Sequence, residues 1–386
     1  MKGGAVVGID LYGGDYKVFR DSFKKYIEAE LKPNYDQWEE EGLVPREVWR
    51  RCGENGFLCP WAEEEYGGAG ADFGYSAIII EELARYGTNV MFPLHSEIVV
   101  PYINSFGSPD QKKRWLPGCV SGEIIAAIAM TEPNTGSDLA AIKTTAIRDG
   151  DHYVLNGAKT FISGGHNCDI VIAACKTSPE ANPPYQGVSL IVVEAGTPGF
   201  IKGRRLKKMG LKSQDTTEMY FEDCRVPVEN LIGQENVGFL YLMQKLQQER
   251  LVCVIGAQAG AEKMLKEAVE YSGSRTIFGK PVSKFQHNSF KIVEMATEIE
   301  LGRVFVDSLI QDHMLGKNIV KRVSMAKYWI TEMANRVAYQ SLQLYGGYGY
   351  MEEYPISRDF RDMRVQNIYA GTTEVMKMII AKEMGL

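Results

Sequence analysis

The sequence predicts a mainly helical protein with a β segment at its centre, and three observations predict it. Apolar residues recur at helical spacing through residues 11–125, as in Tyr16-Lys17-Val18-Phe19-Arg20-Asp21-Ser22-Phe23. From about 126 to 235 the texture changes to short apolar runs bounded by turn residues. From about 236 the helical period returns in long stretches with few breakers, at 237–272, 284–315 and 319–345. The expected domains are therefore helical over 1–125, β over 126–235 and helical over 236–386. At 386 residues a single core stops growing, which also points to two or three domains or layers.

Each element has its own signal. In the first domain, Pro45 and the Gly67-Gly68 pair interrupt the helical period, and Ser108-Pro109-Asp110 reads as a helix start. In the middle, Thr144-Thr145-Ala146-Ile147 leads to an Asp149-Gly150 turn. His152-Tyr153-Val154-Leu155 and Lys159-Thr160-Phe161-Ile162 then flank Asn156-Gly157, which predicts a hairpin. Ile170-Val171-Ile172-Ala173 and Val188-Ser189-Leu190-Ile191-Val192-Val193 predict two more strands. No internal repeat or low-complexity segment is visible.

Composition narrows the function classes. The chain is 24% charged and 45% hydrophobic with 39 Gly and 15 Pro, the balance of a folded protein. The longest apolar run, residues 124–130, falls far short of the about 20 residues that cross a bilayer. The start Met1-Lys2-Gly3-Gly4-Ala5-Val6-Val7-Gly8 lacks the signal-peptide pattern, so the expected location is the cytoplasm of a prokaryote. The seven cysteines are scattered without a C-x-x-C, which argues against a disulfide frame and against zinc or iron–sulfur. The five histidines are too far apart for a local metal motif, so no metal is expected. Net charge is -7 over 1–125, -2 over 126–235 and +3 over 236–386. The last surplus suits a few phosphate contacts and is too small for a nucleic-acid footprint.

Five constellations carry candidate chemistry. Met130-Thr131-Glu132-Pro133-Asn134-Thr135-Gly136-Ser137-Asp138 has the small and turn-forming residues of an anion-binding nest, with Thr131 and Ser137 adding hydroxyls. An ordinary strand-to-turn loop reads equally well. In Phe161-Ile162-Ser163, regular strand alternation puts a ring and a hydroxyl on one face, which would suit a flat heterocycle. By itself it reads better as an amphipathic strand with a core Phe. Arg275-Thr276-Ile277-Phe278-Gly279-Lys280-Pro281, followed by Gln286-His287, sets a basic residue beside a turn and an amide at a helix start, a phosphate-binding arrangement or a solvated connection. Gln343-Leu344-Tyr345-Gly346-Gly347-Tyr348-Gly349-Tyr350 allows close backbone approach to a ligand, or is a glycine helix stop.

Glu249 is the fifth. At helical spacing its neighbours are Leu242, Leu246, Val252, Cys253 and Gly256, with Lys245 the polar exception. A carboxylate on such a stripe is costly to ionise and should have a raised pKa, which makes it a useful base near neutral pH. The plainer reading is a structural Glu paired with Lys245. Glu97, followed by Ile98-Val99-Val100, is a second acid in apolar surroundings, read as near a ligand tunnel or as a structural pair.

Taken in order, these segments resemble the acyl-CoA dehydrogenase flavoproteins over essentially the whole chain. Residues 129–138 match the family's first signature. Gln343-x-x-Gly346-Gly347-x-Gly349-Tyr350-x-x-Glu353-x-x-x-x-Arg358-x-x-x-Asp362 matches its second, and Lys208-Met209-Gly210-Leu211 and Phe221-Glu222-Asp223-Cys224-Arg225-Val226-Pro227 match further segments. The resemblance implies an N-terminal helical domain, a β-barrel-like middle domain and a C-terminal four-helix bundle. It implies non-covalent FAD and a homotetramer. Met130, Thr131, Gly136, Ser137, Phe161 and Ser163 would line the flavin, although many members have Trp-Ile-Thr where this chain has Phe161-Ile162-Ser163. Arg275, Phe278, Gln286, Gln343, Gly346 and Gly347 would hold the FAD of a neighbouring subunit, and Thr372 and Glu374 would touch the adenosine pyrophosphate. Ser137, Arg250, Tyr369 and Gly371 would bind substrate.

One departure from the family pattern matters. Most members carry the catalytic Glu in the segment that here reads Tyr369-Ala370-Gly371-Thr372, and Ala370 takes no proton. A minority, the long-chain and isovaleryl types, place the base on a helix in a Glu-Arg-Leu context, which is Glu249-Arg250-Leu251 here. Leu94-His95-Ser96-Glu97-Ile98-Val99 and Ser324-Met325-Ala326-Lys327-Tyr328-Trp329 look closest to the long-chain type. The implied reaction removes the α-proton of a fatty acyl-CoA at Glu249 and a hydride from its β-carbon to the flavin. The product is a trans-2-enoyl-CoA, the Ala370 N–H polarises the thioester carbonyl, and an electron-transfer flavoprotein takes the electrons. The alternatives are an acyl-CoA oxidase or flavin monooxygenase on the same scaffold, and a DNA-associated alkylation-response relative. Glu249 speaks against the monooxygenase, and the small basic surplus speaks against DNA.

Overall fold

The computed structural model describes Leu11 and residues 13–386. The signal-peptide reading of the first eight residues lies outside the described residues. The chain begins with helices α1 (Gly14–Tyr26), α2 (Tyr35–Glu41), α3 (Arg46–Glu54), α4 (Phe73–Tyr86), α5 (Val100–Phe106) and α6 (Pro109–Ser121). Strands β1 (Ala126–Ala129), β2 (Thr145–Asp149), β3 (His152–Ser163), β4 (Ile170–Lys176), β5 (Val188–Glu194), β6 (Phe200–Arg205), β7 (Thr216–Pro227) and β8 (Leu231–Ile232) follow. Then come α7 (Gly238–Ser274), the hairpin β9 (Thr276–Ile277) and β10 (Lys280–Pro281), α8 (Gln286–Met314), α9 (Val320–Tyr345), α10 (Pro355–Met363) and α11 (Thr373–Glu383). Helix, sheet, helix is the predicted order, and α7, α8 and α9 lie close to the three predicted long stretches. Among the described residues no helix is long and apolar enough to cross a membrane.

The chain forms two compact units. One comprises Glu30–Ala71 and Asn89–Glu249. Its sheet runs in the order β6-β7-β3-β2-β4-β5-β8, with β1 paired to β4 in parallel. Strands β4 and β5 are buried along almost their whole length, and alternate residues feed two different cores. Ile170, Ile172, Leu190 and Val192 join Tyr102, Ile103, Trp115 and Leu116 of α5 and α6. Val171, Ala173, Ile191 and Val193 join Tyr153, Leu155, Met219 and Phe221 of β3 and β7. Burial on both faces explains why these strands read as continuous apolar runs. The predicted helix start is a full capping box. The Ser108 Oγ accepts from the Gln111 N–H at 3.2 Å, and the Gln111 Oε1 accepts from the Ser108 N–H at 2.9 Å.

One prediction is corrected. Asn156-Gly157 does not turn a hairpin, because β3 continues through it as one strand. The hairpin lies earlier, at Gly150, where β2 and β3 pair from Asp149 and His152. At Gly157 the pairing of β3 with β7 slips by a bulge between Leu155 and Gly157. Asn156 spends its amide on Asp223 across the bulge, and a Cβ at Gly157 would lie 2.5 Å from Thr144 Oγ1. Close approach of a neighbouring segment, rather than turn geometry, requires the glycine. Gly157→Ala is expected to destabilise the protein by about 1–3 kcal/mol, seen as a lower urea midpoint at unchanged slope.

The other unit comprises the described residues up to Ala29, Asp72–Thr88 and Arg250–Leu386. Val323, Ala326, Ile330, Ala334, Val337 and Leu344 form the buried stripe of α9. A buried charge network stitches this unit together. Arg20 of α1 pairs with Glu81 of α4 at 2.9 Å and with Glu82, and Arg303 of α8 pairs with Glu81 at 2.6 Å.

Candidate active site

Glu249 sits on α7 and is 4% exposed, with Leu242 and Leu246 buried beside it. The apolar surroundings expected from its helical spacing are present. Tyr102 of α5 bonds its carboxylate directly, the hydroxyl donating to Oε1 at 2.7 Å. Tyr102 is fully buried. Burial, and then the charge and hydrogen bond of Glu249, push the Tyr102 phenol well above its ordinary range. Lys245, the partner suggested by spacing, rests its ammonium 5.6 Å from the Phe106 ring centre. Burial lowers its pKa, and Glu249 opposes that shift. Phe106 in turn stacks on Tyr241 at 4.1 Å. The neighbouring Gln248 donates to the Glu97 carbonyl at 2.8 Å, tying this turn of α7 to the π-helical turn Leu94–Val99.

In the same unit, the 130–138 loop is folded around a buried acid. Glu132 accepts from Lys159 Nζ at 2.9 Å and from the backbone N–H groups of Lys143 and Thr144 at 2.6 and 2.9 Å. Burial works against its charge, but Lys159 and these hydrogen bonds outweigh burial and hold its carboxyl below the usual range. Lys159 also donates to the Met130 carbonyl at 3.0 Å. Thr131 is half-buried, and Gly136 and Ser137 are exposed. A Cβ at Gly136 would meet nothing within 4 Å, so packing does not explain this glycine.

Regular alternation does not govern Phe161 and Ser163. Phe161 has φ +58° beside a register shift between Lys159 and Ile162, and its ring is 68% exposed. A core Phe is therefore excluded. Ile162 is buried and Ser163 half-buried. Left-handed backbone at a bulky residue is strained, and such strain clusters at functional sites.

In the other unit, the β9–β10 hairpin carries Phe278 at φ +49° with 93% of its surface exposed. Arg275 lies over the Tyr348 ring at 5.6 Å. A cavity of about 870 Å³ is lined by Arg275, Lys291, Gln343, Gly346, Gly347 and Tyr348 among others. Phe278 and Gln286 are exposed outside that lining. A Cβ at Gly346 or Gly347 would likewise meet nothing within 4 Å. Thr372 caps α11, its Oγ1 accepting from the Val375 N–H at 3.3 Å, and Glu374 is exposed on the first turn. The Thr373 hydroxyl beside them is buried with no hydrogen-bond partner.

The Tyr369–Gly371 turn is left-handed at Ala370 (φ +51°) and Gly371 (φ +96°). Lys327, fully buried on α9, donates to the Gln366 and Gly371 carbonyls at 2.7 and 2.8 Å and so clamps the turn. Burial pushes its ammonium down to about 8. Tyr369 is exposed and its hydroxyl donates to Gln366 Oε1 at 2.9 Å. Arg250 is buried.

Sequence reasoning missed Tyr102, the Glu132–Lys159 pair and the Lys327 clamp. Lys327 was findable, because it sits on the apolar stripe of α9 as Glu249 does on α7. Nothing in the sequence joins Tyr102 to a residue 147 positions away.

Comparison with known proteins agrees along the chain. The acyl-CoA dehydrogenase N-terminal domain model matches residues 14–123, the middle domain model 127–224 and the C-terminal domain model 236–385. The mitochondrial long-chain specific acyl-CoA dehydrogenase of Sus scrofa is 46% identical over 375 residues, covering 97% of this chain and 87% of that protein. An acyl-CoA dehydrogenase of Bacillus subtilis (strain 168) is 36% identical, covering 95% and 96%. The crystal structure of acyl-CoA dehydrogenase from Geobacillus kaustophilus superposes with a TM-score of 0.96 at 56% identity, covering 97% and 99%. The chain belongs to the acyl-CoA dehydrogenase family of oxidoreductases.

Proposed function

We propose that this chain dehydrogenates a long-chain fatty acyl-CoA to the trans-2-enoyl-CoA with Glu249 as the α-proton base. The observation that carries the reading is the pairing of two facts. Position 370 is alanine, and a carboxylate on an apolar stripe of α7 is buried and held by a phenol. Glu249 takes the α-proton, so the C–H bond breaks and a carboxyl O–H forms. The Ala370 backbone N–H donates to the thioester oxygen as charge builds there. Ser137, Tyr369, Gly371 and Arg250 are proposed to contact the substrate.

The residues present fit non-covalent FAD. Two exposed aromatic rings on left-handed backbone, Phe161 and Phe278, are unexplained by packing. So are the open glycines 136 and 347, and the Thr373 hydroxyl is buried without a partner. When bound, FAD supplies the acceptor for the hydride that leaves the β-carbon. Met130, Thr131, Gly136, Ser137, Phe161 and Ser163 are proposed to line the flavin, and Thr372 and Glu374 to meet its pyrophosphate end. Arg275, Phe278, Gln286, Gln343, Gly346 and Gly347 are proposed to hold the FAD of a neighbouring subunit in a homotetramer. An electron-transfer flavoprotein is the proposed acceptor of the electrons.

The test is anaerobic addition of acyl-CoA thioesters of graded length to the purified protein. Flavin bleaching with formation of the 2-enoyl product, fastest for long chains, is expected. A colourless protein, or a yellow one that no acyl-CoA bleaches, would overturn the proposal. Arg275→Ala is expected to leave the fold intact and lower bound flavin per chain, read as the visible-to-ultraviolet absorbance ratio after gel filtration.

A further inference from the structure

We infer that Tyr102 is a positioning residue for the base, its hydroxyl holding Glu249 by Oε1 and stabilising the ionised carboxylate. The inference rests on the proposed role of Glu249.

Tyr102 lies in the same buried cluster as Val99, Ile103 and Leu242. Phenylalanine would fill that space without placing a polar atom in it, so packing does not account for the hydroxyl. The hydroxyl ends 2.7 Å from Glu249 Oε1. Because the phenol is pushed well above its ordinary range, it keeps its proton and acts as a donor toward the carboxylate. A donor to an ionised acceptor is among the stronger hydrogen bonds, and it favours the charged form. The surrounding turn is pinned as well. Gln248 reaches the Glu97 carbonyl, and Phe106, four residues beyond Tyr102 on α5, stacks on Tyr241 of α7. The base is thus held by its backbone through Gln248 and by its carboxylate through Tyr102. The acidic and basic groups nearest to Glu249 along these elements are Lys245 one turn back, Arg250 next in the chain, and His95 and Glu97 of the π-helical turn; the further charges of α7 begin at Glu262.

The test is Tyr102→Phe, with flavin reduction by acyl-CoA followed in single turnover across the stable pH range. Losing the donor should raise the pKa of the base. The rising limb of the profile is expected to move up by about one pH unit, the equivalent of one hydrogen bond to a charged group. Flavin content and melting temperature should hold, since the ring is kept. Site-specific 3-fluorotyrosine at 102, a stronger donor of the same shape, should move the limb the opposite way. In a Glu249→Gln background the same Tyr102→Phe change should cost little further, since the two act as a unit. Superimposable native and Tyr102→Phe profiles, or equal losses in both backgrounds, would overturn the inference. Near-normal reduction by Glu249→Gln alone would instead remove the base assignment beneath it.

Discussion

Glu249→Gln should retain its flavin and reduce it at least about a hundredfold more slowly when acyl-CoA is added, the usual scale for a positioned general base. The substitution keeps shape and keeps an oxygen that can accept from Tyr102, so α5 and α7 retain their link. What it removes is the ability to take a proton. Position 370 offers no replacement, because alanine stands there. Substrate binding should change little, so the loss is expected in the reduction rate rather than in the substrate concentration at half-maximum. Stopped-flow bleaching under nitrogen reads both. A rate within a few-fold of native would assign the base elsewhere.

The second large effect is on stability. Lys159→Met is expected to destabilise the protein by about 3–5 kcal/mol, because it strands a buried carboxylate. Lys159 is fully buried and bonds Glu132 and the Met130 carbonyl. Without the ammonium, Glu132 keeps two backbone donors and no cation at hydrogen-bond distance from this pair. The pH dependence has a defined sign. Glu132 titrates lower in the folded protein than in the unfolded chain, where a glutamate sits at about 4.3. Its contribution is therefore complete above that value and is lost as pH falls through the folded one. In Lys159→Met the lowering is weakened, so the acid-side loss should begin at higher pH. Urea midpoints from neutral to mildly acidic pH check both statements, and an unchanged neutral midpoint would refute them. Because the pair shapes the 130–138 loop, faster loss of bound flavin should accompany the drop in stability.

The long helices were legible because α7, α8 and α9 run for many turns with few breakers, and α9 adds a buried apolar stripe. Helical spacing located Glu249. Local turn chemistry was less reliable. Asn156-Gly157 carries the preferred hairpin pair, yet the contact with Thr144 decided its conformation, and that contact is not local. Phe161 reads from spacing as a core residue, and only its left-handed backbone and exposure reveal otherwise. Hydrogen bonds between distant segments, such as Tyr102 to Glu249, leave no periodic trace. Buried cations on helical stripes do leave one, and Lys327 is the case in point.

That lysine clamp bears on how such an enzyme can change its chemistry. The turn is left-handed with nothing more than a methyl group at 370, and Lys327 of α9 grips a carbonyl on either side of that position, at Gln366 and Gly371. The main chain at 370 is thus held by bonds that do not involve its own side chain. Under the proposed reaction, proton removal and carbonyl polarisation are separate duties on separate stretches of chain. An ancestor could relocate the first without rebuilding the second.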